Sequence, residues 1–259
     1  MSKDQIQRLM ELTKKRESMQ GTKIHRQLMN LATTHYAVNR NYQELSIAIA
    51  SYEGNIAIWD VKKRNELQTF LREISRLLHN YLSSTFSLIR HTSKLCEDLR
   101  CTELRKEYDK KVNDFNSNDC VFFIKDLRNF AQHVGLPKPT ANVSPVHHNV
   151  GFRSRILLGK GSLLSWKEWK AGSKRYILTS PEIDLKVVVN QYQALLNQFY
   201  LWFYQRVIHQ YPREFEEFTK IDGEIGRISA ELEKVMNPPK QVDSKIEPIN
   251  ADNASDAKT

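Results

Sequence analysis

Residues 119–139, with the sequence DCVFFIKDLRNFAQHVGLPKP, form the stretch that decides the fold. Its apolar residues recur at intervals of three and four, which predicts an amphipathic helix with one buried face. These residues are Val121, Phe122, Ile124, Leu127, Phe130, Ala131 and Val134. Asn118 or Asp119 can cap the start of the helix, and Gly135 suits the position after its end. Pro137 prevents the helix from continuing.

Arg128, Asn129 and His133 on this helix are the candidate catalytic residues. Arg128 and His133 lie about 140° apart around the helix axis, so they flank a groove that a second copy of the helix could complete. His133 falls in the last turn, where the helix dipole favours a protonated ring. Cleavage of RNA by its own 2′-OH needs proton transfer and a cation on the phosphorane, which histidine and arginine supply without a metal. Alternatively, the pair only caps carbonyls and neutralises nearby acids.

The region from about residue 65 to residue 218 resembles the HEPN superfamily of small helical nuclease and nucleotide-binding domains. The signature of that family is an arginine, a polar residue and, after four to six residues, a histidine at the end of a core helix. Arg128, Asn129 and His133 match it in type, spacing and placement. The resemblance extends to an earlier segment, HNYLSSTFSLIRHTSKL from His79, and to a later one, PEIDLKVVVNQYQALLNQFYLWFY from Pro181.

The resemblance implies a four-helix bundle that dimerises with two motifs facing each other. It also implies a metal-independent endoribonuclease of the kind used as a toxin or in antiviral defence. In that activity Arg128 would steady the scissile phosphate, His133 would transfer protons and Asn129 would orient the pair. A second arginine–histidine pair, Arg72 and His79, lies on one face of a helix that continues beyond it, so we interpret it as a polar pair without a catalytic role.

A basic segment follows the motif. Residues 138–180 carry eight lysines and arginines against a single glutamate, and they hold most of the excess charge of a chain whose net charge is +9. The stretches GFRSRILL and KRYILT, separated by glycine-containing breaks, predict a small antiparallel β meander inserted between two bundle helices. One hypothesis makes this insertion an RNA platform, with stacking by Trp166, Trp169 and Tyr176. Its proposed phosphate-binding residues are Arg153, Arg155, Lys174 and Arg175. In the alternative, the sheet is solvated and the tryptophans pack on the bundle.

The rest of the chain is predicted to be helical, which gives a mainly α fold. Helices are expected over residues 3–20 and 24–52, 61–95, 97–114, from Pro181 after a Ser180 cap, and 213–236. Residues 1–60 form an N-terminal helical extension, residues 61–237 the HEPN-like four-helix bundle with its β insertion at about 138–180, and residues 238–259 a disordered tail. The last helix suits packing on the bundle or on a second protomer.

Several function classes lack support in the sequence. There is no apolar run of 18 residues and no signal segment, so we expect a cytoplasmic protein without a membrane partner. Cys96, Cys101 and Cys120 lack metal-type spacing, and two adjacent histidines, His147 and His148, rarely reach one metal ion, so no metal and no cofactor are expected. Phosphate-binding glycine loops, serine-hydrolase elbows and the His-Glu-x-x-His zinc motif are absent.

The leading hypothesis is therefore a homodimeric HEPN-like endoribonuclease whose partners are RNA and an antitoxin or activating protein. A second hypothesis is a non-catalytic module that binds RNA, a nucleotide or a protein within a defence or regulatory system. A third is a helical scaffold that dimerises through its C-terminal helices, which leaves the basic segment without a role.

Overall fold

The computed structural model describes residues 3–53, 64–145 and 152–236, without the side chains of residues 145, 152 and 153. Over these residues the protein is mainly helical and carries one small antiparallel sheet. The helices are α1 Lys3–Ser18, α2 Gln20–Glu53, α3 Arg64–Asp98, α4 Thr102–Asn116, α5 Asp119–His133, α6 Lys160–Leu164, α7 Ala171–Thr179, α8 Leu185–Gln210 and α9 Pro212–Met236. The strands are β1 Pro139–Pro145, β2 Phe152–Leu158 and β3 Ile183–Asp184.

The chain forms two compact units. Among the described residues, the larger unit comprises residues 19–53, 64–145 and 152–216, and the smaller combines residues 3–18 with residues 217–236. In the larger unit, α3 and α8 each contact the same three helices, α2, α4 and α5. The apolar core lies among these five helices, and its largest fully buried side chains include Tyr52, Tyr81, Tyr192, Phe123, Phe199 and Phe203.

The smaller unit pairs α1 with residues 217–236 of α9. Ile221, Ile228 and Leu232 supply its buried side chains. Two ion pairs join the helices: Arg8 Nε donates to Glu224 Oε1 over 3.0 Å, and Arg16 Nη1 donates to Asp222 Oδ1 over 2.6 Å. The segments that meet here are therefore about two hundred residues apart in sequence.

The motif helix α5 begins and ends as the sequence predicts. The side chain of Asn118 accepts a hydrogen bond from the Cys120 N–H over 2.9 Å. At the other end, the N–H groups of Val134 and Gly135 both donate to the Phe130 carbonyl, at 2.9 and 3.2 Å. Gly135 has a φ of +146°, which side chains other than hydrogen rarely permit. The predicted caps of α5 are confirmed.

The predicted meander is only partly correct. β1 and β2 pair antiparallel, with Pro139 opposite Leu158, but KRYILT is not a strand. It belongs to α7, because this segment packs as a helix on α5. The third strand is the short β3, in which Ile183 pairs with Leu158.

The expected start of α8 is also wrong. Ser180 and Pro181 precede β3, so the helix begins only after the sheet has ended. Asp184 is its cap, since its Oδ1 accepts the N–H groups of Lys186 and Val187 at 3.0 and 3.3 Å. The predicted helix near Glu97 begins later as well, because that residue is still part of α3. None of the described helices combines the length and hydrophobicity needed to cross a lipid bilayer.

Candidate active site

Helix α5 places Arg128 and Asn129 in the wall of a pocket of about 240 Å³ within the larger unit. The other walls come from α3, from α8 and from the residue that precedes α7. The lining residues are Leu82, Thr85, Phe86, Ile89, Ile124, Lys125, Asp126, Arg128, Asn129, Lys170 and Tyr192. The lining of this pocket, which we call the α5 pocket, combines cationic side chains with aliphatic and aromatic ones. The first two residues of the motif therefore lie in a concave site.

The Arg128 guanidinium stacks on an aromatic ring and has few hydrogen bonds. Its central carbon lies 3.9 Å from the centroid of the Phe86 ring, within cation–π range. Its Nη1 donates a long hydrogen bond of 3.3 Å to Asn129 Oδ1, and no described residue provides an acceptor for its buried Nε. Burial lowers the pKa of Arg128, because the charged form loses hydration. The guanidinium is thus held in place with donors left for an anion.

Two lysines join Arg128 in the pocket. Lys125 lies three residues before it, on the same face of α5, and its Nζ donates to the side chain of Asn116. Burial and the neighbouring charge of Lys170 both lower the pKa of Lys125. Sequence reasoning missed Lys125 as a site residue and counted Lys170 only within the basic segment. The helical spacing of Lys125 and Arg128 was the available signal, because residues three apart share a face.

Asp126 is a buried carboxylate that joins the basic segment to the motif helix. Asp126 is only 2% exposed. Its Oδ2 accepts hydrogen bonds from the Lys170 N–H at 3.0 Å and from the Ser173 hydroxyl at 2.6 Å. These donors belong to the first turn of α7 and the residue before it. Asp126 therefore satisfies the N-terminus of α7 and positions Lys170 over the pocket.

His133 occupies a different position from Arg128. It is the last residue of α5, it is exposed, and it does not line the pocket. Within residues 3–53, 64–145 and 152–236 it has no hydrogen-bond or ion-pair partner. Val134 and Leu136, which follow it, are 55% and 43% exposed. At 1.5 Å per residue, His133 lies about 7.5 Å further along the helix axis than Arg128. A single chain does not bring the two side chains together.

The four predicted phosphate-binding residues differ in whether a carboxylate already pairs with their side chain. Arg155 forms an ion pair with Glu182, and Arg175 forms one with Asp119, in which Nε donates to Oδ2 over 2.6 Å. Lys174 is exposed. The Arg153 side chain lies outside the described residues. Two of the four positive charges are thus already neutralised by carboxylates, and this lowers their capacity to attract RNA phosphates.

The aromatic residues of the basic segment pack on α5. Trp169 is 7% exposed, and its Nε1 donates to the Leu163 carbonyl over 2.6 Å. Its ring stacks on Phe123 and Phe130. Trp166 contacts Phe130 edge-on, and Tyr176 stacks on Phe123. These contacts favour the packing interpretation over an exposed stacking surface.

Possible metal ligands are sparse in the part of the chain that the structure describes. No cluster of three or more His, Cys, Asp or Glu residues occurs there, while His147 and His148 lie outside the described residues. Cys96 and Cys120 are buried free thiols, and burial raises their pKa values to about 11 and about 12. Of the second pair considered in the sequence, Arg72 is exposed and His79 is half-buried.

Comparison with known proteins adds no relative to this picture. No protein-family model, no curated protein and no solved structure matches the chain.

Proposed function

We propose that the chain is a metal-independent endoribonuclease of the HEPN type, in which α3, α4, α5 and α8 are the helices of the four-helix bundle. The observation that carries this proposal is the Arg128 guanidinium, held on Phe86 in the α5 pocket with donors unused, on the same helix that ends in the exposed His133. The resemblance of the motif supplies the reaction class. It also favours a role as a toxin or an effector of antiviral defence.

The reaction follows from the chemistry of the two side chains. The RNA 2′-OH attacks the adjacent phosphorus while its proton is removed, and the bond from phosphorus to the 5′-oxygen breaks. The products are a 2′,3′-cyclic phosphate and a 5′-OH end. His133 serves in proton transfer, to or from the ribose oxygens, and Arg128 stabilises the dianionic phosphorane. Asn129 accepts from Arg128 Nη1 at 3.3 Å and so orients the guanidinium.

A homodimer would complete the site. In one chain Arg128 and His133 lie about 140° apart around α5, so a single copy offers them to different sides of the helix. Apolar side chains are exposed next to both: Phe86 at 42%, Val134 at 55% and Leu136 at 43%. Burying these side chains between two copies is favourable, and it would bring His133 of the partner subunit towards Arg128.

The first test is RNA cleavage in EDTA by the wild type and by His133→Ala, with total RNA and transfer RNA as substrates. We expect the variant to lose about a hundredfold to ten-thousandfold of the activity, the usual contribution of a general acid–base group. The wild-type products should carry 2′,3′-cyclic phosphate ends. Because His133 is exposed, its loss should leave the thermal unfolding midpoint unchanged.

His209→Ala is the matched control. His209 is likewise an exposed histidine in the last turn of a long helix, α8, and it lies outside the α5 pocket. Its replacement should leave cleavage intact. Full activity of His133→Ala would refute the mechanism, and a large loss of stability in that variant would favour a structural role for the histidine.

A non-catalytic binding module is the second candidate. The cations of the α5 pocket support it, because they require no contribution from His133. Wild-type protein that binds RNA in EDTA and never cleaves it, alone or with a candidate activating protein, would favour this function over the nuclease.

A further inference from the structure

The α5 pocket carries more positive charge than its own residues neutralise. Lys125, Arg128 and Lys170 line it, against the single carboxylate of Asp126, and one oxygen of that carboxylate already accepts two hydrogen bonds from the α7 end. Like charges in a partly desolvated site repel one another. The pocket therefore favours an anion that bridges its cations.

Much of the α5 pocket lining is apolar. Leu82, Ile89 and Ile124 contribute aliphatic side chains, and Tyr192 contributes a ring. Phe86 also lines the pocket, and the Arg128 guanidinium stacks on it. A ligand that fills the pocket thus needs an apolar part beside its charged part. At about 240 Å³ the pocket lies below the roughly 300 Å³ at which sites for drug-sized ligands begin, so it admits one small unit.

We propose that the α5 pocket binds one nucleotide of single-stranded RNA, with its phosphate on Arg128, Lys170 and Lys125 and its base against the apolar side chains of the lining. The naming of RNA rests on the proposed function, whereas an anion joined to an apolar group follows from the pocket alone. A base inside a duplex is stacked and paired, so it cannot enter a concave site without being extruded. Single-stranded segments and loops are therefore the preferred substrates.

The test is calorimetric titration of the wild type with adenosine 5′-monophosphate, with adenosine and with inorganic phosphate. The monophosphate should bind at least tenfold more tightly than either of its parts, because it alone contacts both the cations and the apolar side chains of the pocket. A short single-stranded oligoribonucleotide, titrated into His133→Ala to prevent cleavage, should bind and displace the monophosphate. The same sequence in a duplex should not displace it.

Two variants locate the binding. Lys170→Ala should weaken monophosphate binding about tenfold, as expected for one charge-assisted contact, and it keeps the backbone N–H that Asp126 accepts. Ile89→Trp should abolish binding by filling the pocket from α3. Lys167→Ala, which removes an exposed lysine three residues from Lys170 and outside the pocket, should bind as the wild type does. Thermal unfolding of each variant checks that the fold is retained.

The possible outcomes separate this inference from the proposed function. Nucleotide binding in the α5 pocket would be refuted if millimolar monophosphate showed no detectable binding. It would also be refuted if Lys170→Ala and Ile89→Trp left the binding unchanged. Either result would hold even if RNA is cleaved in a His133-dependent manner. Monophosphate binding that the oligoribonucleotide cannot displace would overturn the RNA assignment and leave a free nucleotide as the ligand. Binding of both ligands without cleavage by the wild type, alone or with a candidate activating protein, would support nucleotide binding in the α5 pocket and refute the nuclease.

Discussion

Asp126 connects the motif helix to the basic segment through one carboxylate. Replacing it with alanine leaves the Lys170 N–H and the Ser173 hydroxyl without their acceptor in a buried position. We expect a loss of about 3 kcal/mol in the free energy of unfolding, because hydrogen bonds to a charged group contribute more than neutral ones and the orphaned donors remain desolvated. Chemical denaturation measures this loss.

Ser173→Ala provides the comparison for Asp126. It removes one donor and leaves the carboxylate bonded to Lys170, so it should cost about 1 kcal/mol. Asp126→Asn should fall between the two alanine variants, because an amide oxygen still accepts. Equal stabilities for Asp126→Ala and the wild type would show that α7 is held by its apolar contacts alone.

The three cysteines differ in burial, and this predicts their reactivity. The thiolate is the reactive form, and burial raises the pKa of Cys96 to about 11 and that of Cys120 to about 12. At pH 8 both thiols stay neutral in the folded protein, whereas Cys101 is half-exposed. With a thiol-reactive disulfide reagent, we expect one rapidly reacting thiol per folded chain and none in Cys101→Ser. In guanidinium, all three thiols of the wild type should react rapidly. Two or more fast thiols in the folded protein would contradict the burial.

Single residues also mark the limit of sequence reasoning about the site. Arg128, Asn129 and the caps of α5 could be found because they depend on spacing along one helix. Lys125 and Asp126 lie between the apolar residues of the same helix and carry no motif of their own, although they line the pocket. Their role depends on α7, which approaches them from some forty residues further along the chain. Periodicity carries no information about such an approach.

Helix α7 is the element that the sequence misassigned. Its Tyr176, Ile177 and Thr179 are residues that favour strands, but tertiary packing overrides that preference. Gly172, Ser173 and Ile177 are buried, at helical spacing, on the side that contacts α5. This spacing was the signal against a strand, and the basic charges around it obscured the pattern.

Gly172 permits the close approach of α7 to α5. A Cβ added there would lie 2.5 Å from Phe122 Cδ2 and 2.9 Å from its Cγ. Both distances are shorter than normal van der Waals contacts, and these atoms lie close to the Phe122 backbone, so they cannot easily move away. Gly172→Ala should therefore destabilise the protein by about 1 to 3 kcal/mol through overpacking. Under the proposed function it should also lower RNA cleavage, because the approach of α7 to α5 positions Lys170, the residue before α7, over the α5 pocket.

Gly161→Ala is the control for Gly172. Nothing lies within 4 Å of an added Cβ at Gly161, which also lies in a helix of the basic segment. Alanine is the better helix former, so this variant should be neutral or slightly more stable. A Gly172→Ala protein as stable as Gly161→Ala would mean that Phe122 yields without cost.

The whole molecule divides between a large unit with the site and a small unit made from the two ends of the described chain. The core cluster lies entirely within residues 19–216. We expect a fragment of these residues to fold cooperatively, with an unfolding midpoint within a few degrees of that of the full chain, because domain stability follows buried apolar area. Circular dichroism during heating measures it. A fragment without a cooperative transition would show that the small unit is required for folding.

For the molecule as a whole, the sequence predicted the mainly helical class. It also predicted the ends of α1, α2, α3 and α9 to within about one turn. Their apolar residues repeat over many turns, so the signal accumulates. The pairing of α1 with α9 was not predicted, because amphipathic helices specify a buried face and not the partner that covers it.

The pairing of α1 with α9 has a consequence for synthesis. Arg8 and Glu224 are 216 residues apart. At the usual elongation rate of 5–20 residues per second, Arg8 leaves the ribosome about 10 to 40 s before its partner. During that interval the apolar face of α1 has no α9 to cover it, so the nascent chain offers it to chaperones and proteases first. Slowing translation of the codons between α1 and α9 would lengthen this exposure.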